Sequence, residues 1–187
     1  MLKKIACSAC AGLLLLSAPA HAEPTGFRSY QLAKHGSLQL SVPNSWNDQM
    51  RQRQPDSPPT ILFTPERGYG FNVQVTPLWL AKQDAKLPAM EELKTVISSA
   101  ADDAKPHAVE SEIPIREIQG ASGAGYYFTL TDHAPKSGEF KFMTQGMLRV
   151  GKVMLAFTIL SNDSTESAVA DALIMLRGAR QSEAAPH

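Results

Sequence analysis

The stretch that most constrains the fold runs from Phe140 to Gly178, where the spacing of apolar residues changes from period two to period 3.6. Two alternating segments flank Gly151-Lys152, which predicts two antiparallel strands joined by a two-residue turn. The second strand is apolar on both faces, which favours a central position in a sheet covered on both sides. A helix is predicted after it from apolar residues at i, i+3, i+4 and i+7: Val169, Ala172, Leu173 and Leu176.

Alternating segments predict further strands over 27–42 (two strands), 60–64, 71–76, 113–117 and 126–130. Residues 47–59 are polar and predict a loop, and Trp46 before them is expected to cover an open edge of the core. A first helix is predicted to start near Pro88 and to end before Pro106. Because short turns join antiparallel neighbours, we expect an α+β fold with an antiparallel sheet of about six to seven strands and two main helices.

The first 22 residues have the pattern of a cleaved export signal. Lys3 and Lys4 precede a short apolar core over 11–18, and Ala20-His21-Ala22 fits the small-x-small rule for cleavage. We therefore expect a mature chain that begins at Glu23 and is periplasmic, with secretion into the medium as the second choice. The apolar core is shorter than the roughly 20 residues that span a bilayer, so no integral membrane segment is expected in the mature chain.

Both cysteines, Cys7 and Cys10, lie in this segment. A lipoprotein signal would place the apolar run before the cysteine, whereas here Leu13–Leu16 follow Cys10, so we do not expect lipidation. The mature protein would then contain no thiol, which excludes cysteine catalysis and cysteine-ligated zinc.

The remaining chain suits one domain over 23–180, followed by a tail over 181–187 that we expect to be disordered. The whole chain has 18 basic and 18 acidic residues, so loss of Lys3 and Lys4 leaves a slight negative charge. The sequence contains no block of basic residues, so a nucleic-acid partner is not expected.

Two segments resemble the opening and closing elements of PsbP-like domains. The first is Leu38–Trp46, a strand followed by proline, two residues and tryptophan. The second is the strand Val153–Leu160 with Ser161-Asn162-Asp163 and a helix after it. The resemblance covers most of 27–178 and concerns a family that includes DcrB-type periplasmic proteins. It implies an α/β/α sandwich whose members mostly bind or scaffold, with no shared catalytic residues. We expect no cofactor.

The candidate partner-binding residues are Arg67, Tyr69 and Trp79. Arg67 and Tyr69 lie in a predicted hairpin tip, and arginine and tyrosine are frequent interface anchors. Trp79 stands between Leu78 and Leu80, and this apolar trio either caps the core or remains exposed as a contact patch.

Candidate chemistry is sparse. Asp132-His133, in a polar loop over 131–139, could contribute to a metal site, but adjacent residues on an extended chain point to opposite sides. Ser122 lies in a glycine-rich turn that begins like a nucleophile elbow, but Ala124 replaces the last glycine and a strand follows instead of a helix. A glycine-rich hairpin turn is the favoured interpretation, and no catalytic residue is assigned.

These observations favour an exported, non-catalytic binding or scaffold protein that recognises an envelope protein partner. One version is an immunity protein that neutralises a toxin from a rival cell. The alternative is a small-ligand or metal-ion binding protein that uses the 131–139 loop with His107 or His35. A hydrolase centred on Ser122 is the third hypothesis.

Overall fold

A computed structural model describes residues 24–54, 57–80, 86–163 and 167–182. This part of the chain forms ten strands and two α-helices, with a short 3-10 turn at Lys105–His107. In chain order they are β1 (Thr25–Leu32), β2 (Gly36–Pro43), β3 (Trp46–Arg51), β4 (Thr60–Pro65), β5 (Phe71–Leu78), α1 (Met90–Ala104), β6 (Arg116–Gly120), β7 (Gly123–Thr131), β8 (Phe142–Val150), β9 (Val153–Ser161), α2 (Ser167–Arg177) and β10 (Arg180–Ser182). Neither helix is long and apolar enough to cross a membrane.

The strands form two antiparallel sheets. The large sheet has seven strands in the order β3-β4-β5-β9-β8-β7-β6, and the small sheet has three in the order β1-β2-β10. The predicted α+β class and the seven-stranded antiparallel sheet are therefore confirmed. The central position predicted for β9 is also correct, because three strands lie on each side of it.

One face of the large sheet packs against α2 and the small sheet. This first core contains Leu38 and Leu40 of β2, Phe157 of β9 and Ala172 of α2, all fully or almost fully buried. These residues belong to the alternating or helically spaced positions that the sequence displays, so the period of each segment determines which side chains it buries.

The opposite face of the large sheet is covered by α1 over β7 and β8. This second core contains Ile97 and Ala101 of α1 together with Phe128 and Leu130 of β7. A sheet with a helix on each face is the layered arrangement that the apolar pattern of β9 requires.

The predicted polar loop over 47–59 is wrong in its first part, because Trp46–Arg51 form β3. β3 is an edge strand that pairs with β4, and only its first side chain is buried, so its sequence shows no apolar alternation. The prediction for Trp46 is correct. Its ring is 4 % exposed and lies 4.6 Å from that of Phe71 and 6.3 Å from that of Phe63.

A polar network joins the small sheet to β3 at the rim of the first core. The Tyr30 hydroxyl donates to Asp48 Oδ2 at 2.9 Å, and Arg28 donates to Asp48 and to the Trp46 carbonyl oxygen. Burial and the hydrogen bond to Asp48 raise the pKa of Tyr30 above its ordinary value. The phenol is therefore a neutral donor that fixes the edge strand against β1.

Two further boundaries differ from the sequence prediction. β6 begins at Arg116 rather than at 113, because Pro114 cannot donate to the ladder, and its buried residue is Ile118. β10 lies where the disordered tail was expected to begin, and it pairs with β2. Residues 183–187, like the predicted export signal over 1–22, lie outside the described residues.

The close contact of Gly146 with its neighbours in the sheet gives a test of this register. A Cβ at Gly146 would lie 2.5 Å from Tyr127 Cβ and 2.6 Å from Phe157 Cζ, both in adjacent strands. We expect Gly146→Ala to lower the free energy of unfolding by about 1–3 kcal/mol, as for other overpacked sites, measured by chemical denaturation. Gly178→Ala is the control, because its Cβ would meet ordinary contacts of 3.6 Å. Equal effects of the two substitutions would contradict the packing described.

Candidate functional site

Three segments meet at one end of the large sheet, and we call them the loop end: the hairpin tip 66–70, the loop 132–141 and the strand end 161–163. Hydrogen bonds join them in sequence. Asn162 N donates to the Gly70 carbonyl oxygen at 3.2 Å, and Lys141 N donates to Asn162 Oδ1 at 3.3 Å. Asp132 N in turn donates to the Lys141 carbonyl oxygen at 2.8 Å. The loop end is therefore one connected surface.

The hairpin tip presents Arg67 and Tyr69 to solvent. Tyr69 is 92 % exposed although the tip is fixed at its base, where Glu66 N donates to the Ser45 carbonyl oxygen at 2.8 Å. Gly68 between them has φ +81°, a conformation that glycine adopts without strain. The backbone thus holds these two side chains away from the core, and their role as partner-binding anchors stays a prediction.

The loop 132–141 is held by the segment that follows α1. The Glu110 carboxylate accepts hydrogen bonds from Thr131 N, at 2.9 and 3.1 Å, and from Thr131 Oγ1, at 2.7 Å. Val109 N donates to the Thr131 carbonyl oxygen, and His133 N donates to that of His107. The loop is therefore anchored at its start by side-chain and backbone bonds together.

The metal candidates Asp132 and His133 are used inside this loop. Asp132 Oδ1 accepts a hydrogen bond from Ala134 N at 2.9 Å. His133 Nδ1 lies 2.8 Å from the His107 carbonyl oxygen and donates to it, because a carbonyl oxygen can only accept. Within the described ranges, no group of three or more His, Cys, Asp or Glu side chains is placed to hold a metal ion.

The opposite end of the molecule, which we call the turn end, consists of residues 33–35, 78–80, 121–122, 149–152 and 177–182. The side chain of Gln181 joins two of these segments, because its Nε2 donates to the His35 carbonyl oxygen and its Oε1 accepts from Lys152 N. Ser122 joins two others, because its hydroxyl donates to the Ala179 carbonyl oxygen at 3.2 Å. Ser122 thus lies in a turn between two strands and ties it to the end of α2.

Trp79 lies at the turn end, half-buried against the first core. Its ring stacks on that of His35, with centroids 4.6 Å apart. Burial, and then the charge of Lys34, lower the pKa of His35 below its ordinary value, so the stacked imidazole is neutral near pH 7. Trp79 is separated from Tyr69 by the full length of β5, about 23 Å at 3.3 Å per residue. The three candidate partner-binding residues therefore do not form one surface.

Comparison with known proteins bears on the fold. No protein-family model matches the chain, and no curated protein sequence matches it. Among solved structures, the solution structure of cyanobacterial PsbP (CyanoP) from Synechocystis sp. PCC 6803 is similar with a TM-score of 0.51. The likeness covers 90 % of this chain and 99 % of that one, at 12 % sequence identity. The chain has the PsbP-like fold. At this identity the likeness concerns the fold alone, and it confirms the resemblance seen in the sequence.

Two residues that organise the ends of this PsbP-like fold carry no signal in the sequence. Glu110 lies in an irregular segment and bonds to a residue 21 positions away, and Gln181 bonds to a residue 146 positions away. Neither lies in a periodic pattern or a motif. Sequence reasoning could identify the loops that carry exposed anchors, but it could not identify the residues that hold those loops.

The anchoring role of Glu110 predicts a pH dependence. Burial raises the pKa of the Glu110 carboxyl, but the hydrogen bonds from Thr131 outweigh this, and the pKa lies below its ordinary value of 4.5. A carboxyl whose pKa is lower in the folded state stabilises the fold fully above its unfolded pKa of 4.5. This contribution to the free energy of unfolding is lost as the pH falls through the lower pKa of the folded state. We expect the thermal midpoint of Glu110→Gln to fall less on acidification than that of the parent protein, and Thr131 N to exchange faster at pH 7 in the variant.

Glu112→Gln is the matched control, because Glu112 is exposed and lies in the same segment. The thermal midpoint of Glu112→Gln should fall on acidification as much as that of the parent protein. If Glu110→Gln shows the same acid sensitivity as the parent and the same exchange rate at Thr131, the carboxylate does not anchor the loop.

Proposed function

We propose that this is an exported, non-catalytic binding or scaffold protein that recognises a protein partner of the cell envelope through its loop end. The observation that carries the proposal is the exposure of Tyr69, 92 %, on a hairpin tip fixed by backbone hydrogen bonds. An exposed tyrosine offers a large amphipathic contact at low entropic cost. Arg67 beside it adds a charged donor of the kind enriched at interface anchors.

The bonds within the loop end support the same proposal. The tip, the 132–141 loop and the strand end 161–163 are joined to one another, and Glu110 holds the start of the loop. Association then requires little further ordering of the backbone, and such preorganisation increases affinity. A partner would meet one prepared surface instead of three separate loops.

The use of the polar side chains supports a non-catalytic role. Glu110 binds Thr131, Asp132 binds its own loop, and Glu139 accepts from Lys136 N. The hydroxyl of Ser122, the candidate nucleophile, donates to a backbone carbonyl oxygen. These groups are engaged in holding loops, whereas a reacting group requires a base or an oriented partner beside it.

The cell envelope is proposed as the location because of the export pattern over residues 1–22. A toxin delivered by a rival cell is one class of partner that an exported recognition domain could meet, and an immunity role is the corresponding version of this proposal. Recovery of the partner from envelope extracts would distinguish this version from a scaffold among resident envelope proteins.

The test compares two variants at highly exposed aromatic residues. The parent protein, Tyr69→Ala and Phe27→Ala would be affinity-tagged, expressed in the source cell, and used to recover stoichiometric partners from envelope extracts. Phe27 is 83 % exposed on the outer face of the small sheet and belongs to none of the three loop-end segments, so it controls for loss of an exposed ring. We expect Tyr69→Ala to raise the dissociation constant for the recovered partner about 30-fold, which is the effect of losing an interface hot spot. Arg67→Ala should raise it less, and Phe27→Ala should leave it unchanged.

Failure to recover any stoichiometric partner would contradict the proposal, as would equal binding of Tyr69→Ala and the parent. A stoichiometric metal ion in protein purified without chelator, lost in His133→Ala, would instead favour the small-ligand or metal-ion alternative centred on the 131–139 loop.

A further inference from the structure

Positive charge is concentrated at the turn end. The whole chain has equal numbers of acidic and basic residues, yet the five segments of the turn end, as far as the structure describes it, contain no Asp or Glu and carry these five cations: Lys34, Arg149, Lys152, Arg177 and Arg180. Four segments are in contact through the side chains of Gln181 and Ser122 and through Ala121 N, which donates to the Arg177 carbonyl oxygen at 2.7 Å. The fifth, 78–80, is joined to them by the stacking of Trp79 on His35. This end therefore favours an anionic partner.

Apolar side chains accompany these cations. Leu78, Trp79 and Leu80 are all half-buried at the turn end. Trp79 packs one side against the first core and stacks on the neutral imidazole of His35. A tryptophan with apolar neighbours and surrounding lysine and arginine is typical of a boundary between lipid headgroups and water.

The distribution of the cations distinguishes an extended surface from a single anion pocket. They lie on the β1–β2 turn, at the end of β8 and in the β8–β9 turn, and on the segment from the end of α2 into β10, which belong to both sheets. Charges dispersed over elements of both sheets match dispersed headgroups better than one phosphate group.

We propose that the turn end binds the surface of an anionic phospholipid membrane as a reversible peripheral contact. The exposed guanidinium groups of Arg177 and Arg180 meet the lipid phosphates, and Leu78, Trp79 and Leu80 approach the headgroup layer. Each cation near an anionic surface increases partitioning about fivefold, and salt screens the attraction. This surface is opposite the loop end, so the inference does not depend on the proposed protein partner.

The experiment uses protein exported by its host, purified from the periplasm, with its N-terminus determined by mass spectrometry. Co-sedimentation is measured with mixed phosphatidylcholine–phosphatidylglycerol vesicles and with phosphatidylcholine vesicles. We expect binding to the mixed vesicles alone, lost at high salt. Arg177→Gln/Arg180→Gln removes two exposed cations and should reduce partitioning about 25-fold. Lys105→Gln/Lys136→Gln removes the same charge from exposed positions outside the turn end and should bind like the parent; circular dichroism and thermal melting confirm that both variants fold.

A second measurement locates the contact. The chain has two tryptophans, and Trp46 is 4 % exposed and begins β3 beside the loop end. Brominated phosphatidylglycerol should quench the parent's fluorescence through Trp79, and Trp79→Phe should abolish the quenching. Equal binding to neutral vesicles, equal losses in the two charge variants, or quenching that persists in Trp79→Phe would overturn the proposal. Polyglutamate binding with the same arginine dependence, without vesicle binding, would assign the turn end to an acidic protein instead and would also overturn it.

Discussion

The burial of β9 on both faces is the constraint on which the rest of this structure depends. Val153, Leu155, Phe157 and Ile159 are almost completely buried in the first core, and Met154 is buried on the other side. Each such side chain contributes about 1.5–3 kcal/mol when it leaves water, so neither face of the strand can remain open. α2 and the small sheet cover one face of the large sheet, α1 covers part of the other, and the remaining strands extend the sheet on either side.

This dependence explains how much of the fold could be predicted from the sequence. β9 and α2 bury regular apolar patterns, so their periods reveal them. β3 and β10 could not be predicted, because an edge strand is held largely by backbone hydrogen bonds, which any sequence can form. β3 buries only one side chain. β10 has only three residues, and one of them, Gln181, bonds to the β1–β2 turn. The loop carrying Tyr69 could be predicted as a candidate site, whereas the Glu110 anchor could not, because its bond to Thr131 is a tertiary contact without local periodicity.

The antiparallel topology separates the molecule into two ends with different chemistry. All loops that follow the strands must leave at one end or the other, about 23 Å apart along β5. The loop end carries an exposed tyrosine on loops that are joined by hydrogen bonds. The turn end carries five cations beside a half-buried tryptophan. The two proposals together describe a domain that binds a protein partner at one end and a membrane surface at the other. The buried sheet connects the two ends.

The central claim is that the loop end is the recognition surface, and site-specific photo-cross-linking in living cells tests it most directly. A photoreactive amino acid would replace Tyr69 in one strain and Phe27 in another, since both positions are highly exposed but only the first lies at the loop end. We expect one discrete protein adduct from position 69 and none from position 27. An adduct from position 27 with none from position 69 would place recognition on the small sheet and contradict the claim.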